Sequence, residues 1–171
     1  MFSVASITTS FLDYPSPEDH AICVYFQGCW HNCPGCHSLT LQPLKAKNMS
    51  LEQLLNEIHL MSEAEHTTKV VLSGGDPLQA ESHVGIQSLL QCLNTDGFDV
   101  CIYTGFSMEI ARYILGRAPF TYAKCGPFKQ ELQRPSTKTD TQFILASSNQ
   151  DFYNNDWIKL SDNGILDFTK E

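Results

Sequence analysis

Short β-branched and aromatic runs alternate with segments of helical period, and this alternation restricts the fold more than any other feature of the chain. In chain order it predicts strand Ala21–Phe26, a helix opened by Ser50, strand Lys69–Ser73, helix Ser82–Asn94, strand Phe98–Thr104, a helix opened by Ser107 and strand Phe120–Lys124. Strands joined by helices pair in parallel through right-handed crossovers. The sequence therefore predicts an α/β fold. Its 171 residues exclude a complete eight-stranded barrel, which needs about 200 residues at least.

The helical segments indicate which side chains face the core. Ser50 and Gln53 have the spacing of a capping box, and Gly97 follows the end of the second helix. The apolar positions at helical spacing, which we expect to point inward, are Leu51, Leu54, Leu55, Ile58, Ile86, Leu89, Leu90, Leu93, Ile110, Ala111, Ile114 and Leu115.

The length favours one domain over residues 1–171. We expect residues 1–19 to form an extended leader with one short strand, residues 20–126 the α/β core, and residues 127–171 a C-terminal extension in which the alternation weakens. In that extension the pattern predicts a strand at Phe143–Ala146 and a hairpin at Trp157–Phe168, turning around Asn163.

Charge and hydropathy exclude some partners. The chain has 11 Lys and Arg residues against 19 Asp and Glu, a net charge of −8, and its basic residues form no cluster. Nucleic acid is therefore not an expected partner. No apolar run approaches the roughly 18 residues of a membrane-spanning helix, and residues 1–19 lack the pattern of a signal peptide. We expect a cytoplasmic protein whose clustered cysteines bind metal or perform redox chemistry.

Polar or glycine-rich segments follow three of the predicted strands. A long loop from Cys29 to Asn48 follows the first strand, Gly74–Pro77 follows the second, and Tyr103-Thr104-Gly105 closes the third. In parallel sheets the functional loops lie at the carboxyl ends of the strands, so these segments should converge at one rim.

The spacing of three cysteines predicts a metal or redox site at that rim. Cys29, Cys33 and Cys36 form C-x3-C-x2-C, a density of thiolates that suits an iron–sulfur cluster. Zinc with His31 or His37 as a fourth ligand, and a dithiol redox pair formed by Cys33 and Cys36, are the alternatives. The other cysteines divide into Cys23, Cys92 and Cys101, which are expected in the core, and Cys125, which has no assigned role.

Five segments, in order, carry a family resemblance: Gln27–Cys36, Leu72–Leu78, Tyr103–Phe106, Gly126–Phe128 and Ser147–Gln150. With them the chain resembles the radical S-adenosylmethionine enzymes, and among these the anaerobic ribonucleoside-triphosphate reductase activating proteins. The resemblance implies a partial, TIM-like α/β barrel. It also implies that Asn149 and Gln150 belong to a surface that meets a protein partner.

The resemblance further implies two cofactors, a 4Fe-4S cluster and S-adenosylmethionine. The implied cluster ligands are Cys29, Cys33 and Cys36. The residues implied in S-adenosylmethionine binding are Gly35, Cys36, His37, Gly74, Gly75, Asp76, Pro77 and Thr104. Among these, Asp76 would accept hydrogen bonds from the ammonium group, the glycines would let the backbone approach the ligand, and His37 would pack against adenine. His31 is expected to support the loop rather than to bind the cluster.

The activity implied is reductive cleavage of S-adenosylmethionine and formation of a glycyl radical on a partner, the large subunit of anaerobic ribonucleotide reductase. An electron donor such as flavodoxin would supply the electron, and the resemblance allows a homodimer. Two alternatives stay open at this point. One is a small radical enzyme acting on a small molecule, similar to 7-carboxy-7-deazaguanine synthase, and the other is a zinc-binding interaction module.

Overall fold

The computed structural model describes residues 1–79 and 83–170. The helices are α1 (Leu51–Glu65), α2 (His83–Thr95) and α3 (Met108–Leu115). The strands are β1 (Val4–Ser10), β2 (Ala21–Phe26), β3 (Lys69–Gly74), β4 (Asp99–Tyr103), β5 (Tyr122–Cys125), β6 (Thr137–Lys138), β7 (Gln142–Ile144), β8 (Asp151–Tyr153) and β9 (Ile165–Asp167). No helix in these ranges is long and apolar enough to cross a membrane.

A six-stranded sheet in the order β1-β2-β3-β4-β5-β8 forms the centre of the molecule. Strands β2 to β5 run parallel, with Val24 opposite Leu72 and Val71 opposite Cys101. The edge strands β1 and β8 are antiparallel to their neighbours. Because the two edge strands do not pair with each other, the sheet stays open, and the predicted incomplete α/β barrel is confirmed.

The two faces of this sheet pack against different partners. On β2, Ile22 and Val24 point to a core that the apolar sides of α1, α2 and α3 complete. Ala21 and Cys23, the alternate residues, point to a second core built with Phe143 and other residues of the C-terminal segment. All three helices therefore lie on one face, and the chain's own C-terminal segment covers the other.

Local signals in the sequence set the helix ends largely as expected. Ser50 and Gln53 form both hydrogen bonds of a capping box, and the Ser107 hydroxyl accepts from the Ile110 N–H at the start of α3. The predicted inward faces are confirmed except at Ile110, which is 47% exposed, because the buried side of this short helix is formed by Ala111, Ile114 and Leu115. The predicted start of the second helix at Ser82 lies outside the described residues.

The first residues belong to the core sheet. The short strand expected in residues 1–19 is β1, which pairs along β2. Phe2 is almost fully buried against the helical face, and its N–H donates to the carbonyl of Met49 at 2.7 Å.

The C-terminal segment differs from the prediction. β6, β7 and β9 form a separate three-stranded sheet, in which the predicted strand Phe143–Ala146 is shifted to Gln142–Ile144. The predicted hairpin at Trp157–Phe168 is wrong: a turn does join Asp162 to Ile165, but β9 then pairs with β7. Pairing Phe143 with Leu166 buries both side chains in the second core, which a hairpin within 157–168 would not do.

Candidate functional site

A cavity of about 220 Å³ lies at the carboxyl ends of the parallel strands. The loop after β2 lines it with Cys29, His31, Cys33, Cys36, His37 and Ser38, and the end of β3 with Ser73, Gly74, Gly75 and Asp76. The loops after β4 and β5 add Tyr103, Thr104, Gly105, Gly126 and Phe128. The predicted convergence of these loops at one rim is confirmed.

The loop that carries the cysteines is closed at its base by backbone hydrogen bonds. The N–H of Gly28 donates to Leu41 at 2.7 Å, and the N–H of Cys29 donates to Gln42 at 2.9 Å. Within the loop, the backbone N–H of Ser38 donates to Cys36 Sγ at 3.3 Å. All three cysteines are half-buried, and burial raises the pKa of the Cys29 thiol.

A single buried carboxylate joins the loops of the rim. Asp76 Oδ2 accepts from His31 Nε2 at 2.6 Å and from the Gly105 N–H at 2.8 Å. Both carboxylate oxygens lie within 3.0 Å of Thr104 Oγ1, and Oδ1 also accepts from the Leu78 N–H at 2.9 Å. Asp76 thereby fixes the cysteine loop, the turn after β3 and the turn after β4 relative to one another.

Gly74 and Gly75 are required by the protein's own backbone. A Cβ on Gly74, whose φ is +101°, would collide with the backbone of Phe26. A Cβ on Gly75 would collide with the carbonyl of Gly28. These glycines allow β3 to approach β2 and the start of the cysteine loop closely, and their predicted approach to a ligand stays a prediction.

Most of the predicted site residues line the cavity, and the two exceptions are Gly35 and Pro77. Gly35 has a φ of +74°, and a Cβ there would meet the Gln130 side chain at 3.1 Å. Pro77 lines a separate small cavity together with Trp30 and Leu44. His37 lines the cavity, and its ring contacts Phe128 with 4.9 Å between ring centroids.

Two buried polar residues of the cavity wall were not predicted there. Lys124, at the end of β5, is 8% exposed, and Gln150 is 5% exposed. Gln150 was expected at a partner surface, but its amide is bonded internally, donating to the carbonyl of Gly126 at 3.2 Å. Asn149 likewise donates to the carbonyl of Pro127 at 2.8 Å. The only local signal for Lys124 is a lysine at the end of the otherwise apolar or aromatic run Phe120–Lys124.

Comparison with known proteins shows which family the chain belongs to. The model of the family described as "4Fe-4S single cluster domain" matches residues 19–152. The chain belongs to this family. The match contains the complete cysteine loop, every strand from β2 to β7 and the first two residues of β8.

Individual relatives share a low sequence identity with this chain and match only part of it. The anaerobic ribonucleoside-triphosphate reductase-activating protein of Salmonella typhimurium is 28% identical over 90 residues, which cover 50% of this chain and 58% of that protein. The protein of the same name from Escherichia coli K12 is 28% identical over 95 residues, with the same coverage. The chain thus matches little more than half the length of these curated relatives. Among solved structures, QueE from Escherichia coli superposes with a TM-score of 0.44 and 19% identity, over 62% of this chain and 53% of that one.

The residues at the rim fit a 4Fe-4S cluster. Cys29, Cys33 and Cys36 all face one cavity, and thiolates are the usual ligands of such clusters. In the ranges 1–79 and 83–170, no three His, Cys, Asp or Glu side chains are grouped so as to hold a single metal ion. The other four cysteines do not line this cavity, and Cys23, Cys101 and Cys125 are buried. The predicted ligand trio is thus set apart from the other cysteines.

Proposed function

We propose that this protein binds S-adenosylmethionine beside its 4Fe-4S cluster, cleaves it reductively, and generates a glycyl radical on an anaerobic ribonucleotide reductase. One observation carries the proposal: the three cysteines and the loops that follow β3, β4 and β5 line a single cavity. A ligand held in that cavity lies next to the cysteine loop. The names of the relatives from Salmonella typhimurium and Escherichia coli support the same activity.

In this proposal the chain's own residues hold and orient the two cofactors, and the cluster would supply the redox chemistry. Cys29, Cys33 and Cys36 would hold the cluster, and three protein ligands would leave one iron free to bind a small molecule. When bound and reduced, the cluster supplies the electron that splits the sulfonium into methionine and a 5′-deoxyadenosyl radical. That radical would take a hydrogen atom from the α-carbon of a glycine on the partner, which would give 5′-deoxyadenosine and the glycyl radical. No protein acid or base is needed.

The S-adenosylmethionine contacts are proposed from the residues that line the cavity. His37 and Phe128 offer aromatic surfaces to adenine, while Gly74, Gly75 and Thr104 lie across the cavity on the ends of β3 and β4. Asp76 faces the same space, although its carboxylate already accepts hydrogen bonds from the protein. Its bond to the ammonium group of the ligand stays a prediction.

A protein substrate suits the surface around the cysteine loop. Trp30, Leu39 and Leu44 on this loop are 56%, 64% and 50% exposed. Apolar side chains that remain exposed beside a reactive cavity are typical of a surface that another protein covers. The large subunit of the reductase is the proposed partner. A flavodoxin as electron donor and a homodimer remain predictions.

Metal analysis and electron paramagnetic resonance test the proposal. Anaerobically reconstituted protein should be brown and contain about four irons per chain. Reduced protein mixed with S-adenosylmethionine and a candidate reductase should give a glycyl radical signal, and a reductase whose target glycine is changed to alanine should not. Colourless protein with stoichiometric zinc would refute the proposal. Cleavage of S-adenosylmethionine without a radical on any reductase would instead indicate a small-molecule substrate.

A further inference from the structure

A second, smaller crevice lies beside the cysteine loop, next to the exposed side chain of Trp30. Its volume is about 30 Å³, and its wall includes Lys45, Lys47 and Gln79. A single water molecule needs about 10–15 Å³. The crevice therefore has room for the polar end of one side chain but not for a free cofactor.

Two groups of this crevice lack a partner of their own. Gln79 is 7% exposed, and within residues 1–79 and 83–170 its Nε2 has no hydrogen-bond partner. Lys45 is exposed and forms no salt bridge with any residue in the same ranges. Buried amide donors are normally paired, so the crevice favours an acceptor on whatever covers it.

Asp76 also lines the crevice, but its carboxylate is already occupied. Its oxygens accept from His31 Nε2 at 2.6 Å, from the Gly105 N–H at 2.8 Å and from the Leu78 N–H at 2.9 Å. Hydrogen bonds from these donors offset its negative charge. The donor of Gln79 and the positive charge of Lys45 are thus left to set the preference of the crevice, which is for an anionic acceptor.

The charge pattern of the chain sets this face apart. Residues 27–51, which form the cysteine loop and its flanks, contain no Asp or Glu, although the chain has 19 of them and a net charge of −8. Lys45 and Lys47 lie in this segment. A negatively charged partner is repelled by the acidic remainder of the surface and attracted to the loop, so the field orients such a partner toward the crevice.

We propose that this crevice binds an Asp or Glu side chain on the surface of the reductase large subunit. The inference rests on the function proposed above and specifies the chemistry by which its partner is held. Lys45 and Gln79 receive the carboxylate, while Trp30 and Leu44, which are 56% and 50% exposed, pack against apolar side chains beside it. Since Trp30 directly follows Cys29, this contact anchors the partner next to the cysteine loop.

Association of the reconstituted protein with the reductase large subunit of the same organism is measured by calorimetry at low and at high salt. Lys45→Glu should raise the Kd about 10-fold at low salt and less at high salt, because salt screens the charge. Gln79→Leu should raise it about 3- to 10-fold at both salt concentrations. A carbodiimide, which joins an amine to a carboxylate with loss of water, should link Lys45 to an Asp or Glu of the subunit, as read by mass spectrometry.

Arg117→Glu is the matched control, because Arg117 is exposed, lines neither the crevice nor the cavity, and its replacement changes the net charge equally. Equal weakening by Arg117→Glu would overturn the proposal, since net charge alone would then govern association. Urea unfolding checks the fold of each variant. Lys45 is exposed, so Lys45→Glu tests the charge even where Gln79→Leu loosens the fold.

The remaining outcomes separate the crevice from the proposed function. An unchanged Kd in Lys45→Glu and Gln79→Leu, with no cross-link from Lys45, would overturn the proposal, and a glycyl radical formed by the wild type would leave the function standing. A cross-link and a loss of binding confined to an acidic electron donor would overturn the assignment to the reductase. A wild type that forms neither a complex with the reductase nor a radical on it would refute the proposed function itself.

Discussion

His31 Nε2 and Asp76 Oδ2 lie 2.6 Å apart, although 45 residues separate them in the chain. The His31 ring also packs edge-on against Phe106, with 4.5 Å between ring centroids. One residue of the cysteine loop is thereby fixed both to the turn after β3 and to the turn after β4. Since the same carboxylate accepts from Thr104 and Gly105, the geometry of the cavity depends on a single buried acid.

Replacing that acid should destabilise the protein. Asp76→Asn places an amide N–H against the donors that converge on Asp76, and we expect the free energy of unfolding to fall by about 2–4 kcal/mol. Asp96 provides the control, because its pair with His59 has the same chemistry but is exposed by 37% and 45%, respectively. Asp96→Asn should change stability by less than about 1 kcal/mol. Urea unfolding of both variants measures the difference, and equal effects would contradict the role given to Asp76.

Gly75→Ala should disturb the junction between β3 and the cysteine loop. The new Cβ would collide with the Gly28 carbonyl, which also accepts the Asp76 N–H at 2.9 Å. We expect a loss of about 3 kcal/mol together with weaker retention of iron. Gly97→Ala is the comparison, since a Cβ there meets no atom within 4 Å and the loss is only the strain of its φ of +86°, about 1–2 kcal/mol. Denaturant unfolding and iron content of reconstituted protein distinguish the two.

Thiol reactivity should separate the cysteines of the folded, cluster-free chain. Burial raises the pKa of Cys23 and of Cys125 to about 12, and it raises the pKa of Cys101 as well. Raising the pH from about 7 to about 10 still leaves these groups as thiols, so iodoacetamide should modify the loop cysteines first. Mass spectrometry after timed alkylation measures the order. In urea the difference should vanish, and early modification of Cys23 in the folded chain would contradict the structure.

Removal of one proposed ligand should abolish the cluster. Cys33→Ala leaves two thiols facing the cavity, so we expect loss of the brown chromophore and of S-adenosylmethionine cleavage. Cys92→Ala, on α2 and away from the cavity, should retain about four irons per chain. Iron analysis and product chromatography check both variants. A Cys33→Ala protein that still cleaves S-adenosylmethionine would exclude the proposed ligand set.

The proposed adenine contact of His37 is testable by binding. His37→Ala removes one of the aromatic rings at the cavity wall and should weaken S-adenosylmethionine binding about 3- to 10-fold. His37→Phe keeps an aromatic face and should restore most of that loss. If His37→Phe binds no better than His37→Ala, the imidazole acts as a hydrogen-bonding group rather than as a stacking surface.

Local patterns were enough to predict the α/β core. The strand runs from Ala21 to Lys124 and the capping box at Ser50 are signals within a few neighbouring residues, and they survive in the structure. The small C-terminal sheet was largely missed because β6, β7 and β9 contain only two or three residues each. Its pairing is decided by the burial of Phe143 and Leu166 on the far face of the main sheet, which no local pattern encodes.

In the site, too, local features were predictable from the sequence and long-range contacts were not. The spacing of Cys29, Cys33 and Cys36 was enough to predict a cluster loop because ligand spacing is local. Three partners of Asp76, namely His31, Thr104 and Gly105, lie 28 to 45 residues away in the chain, and only the folded sheet brings them together. The place of Lys124 in the cavity wall was not predicted. Whether a lysine at a strand end faces solvent or a cavity depends on the segments that pack over it.

Folding also separates the protein's cysteines by their accessibility. An unfolded chain offers seven thiols to iron and sulfide, whereas in the folded chain Cys23, Cys101 and Cys125 are enclosed and three cysteines share one loop. The folded chain therefore offers iron fewer competing thiols than the unfolded chain does. Iron that reaches the folded chain meets Cys29, Cys33 and Cys36 at one cavity, whereas Cys23, Cys101 and Cys125 are enclosed by packing.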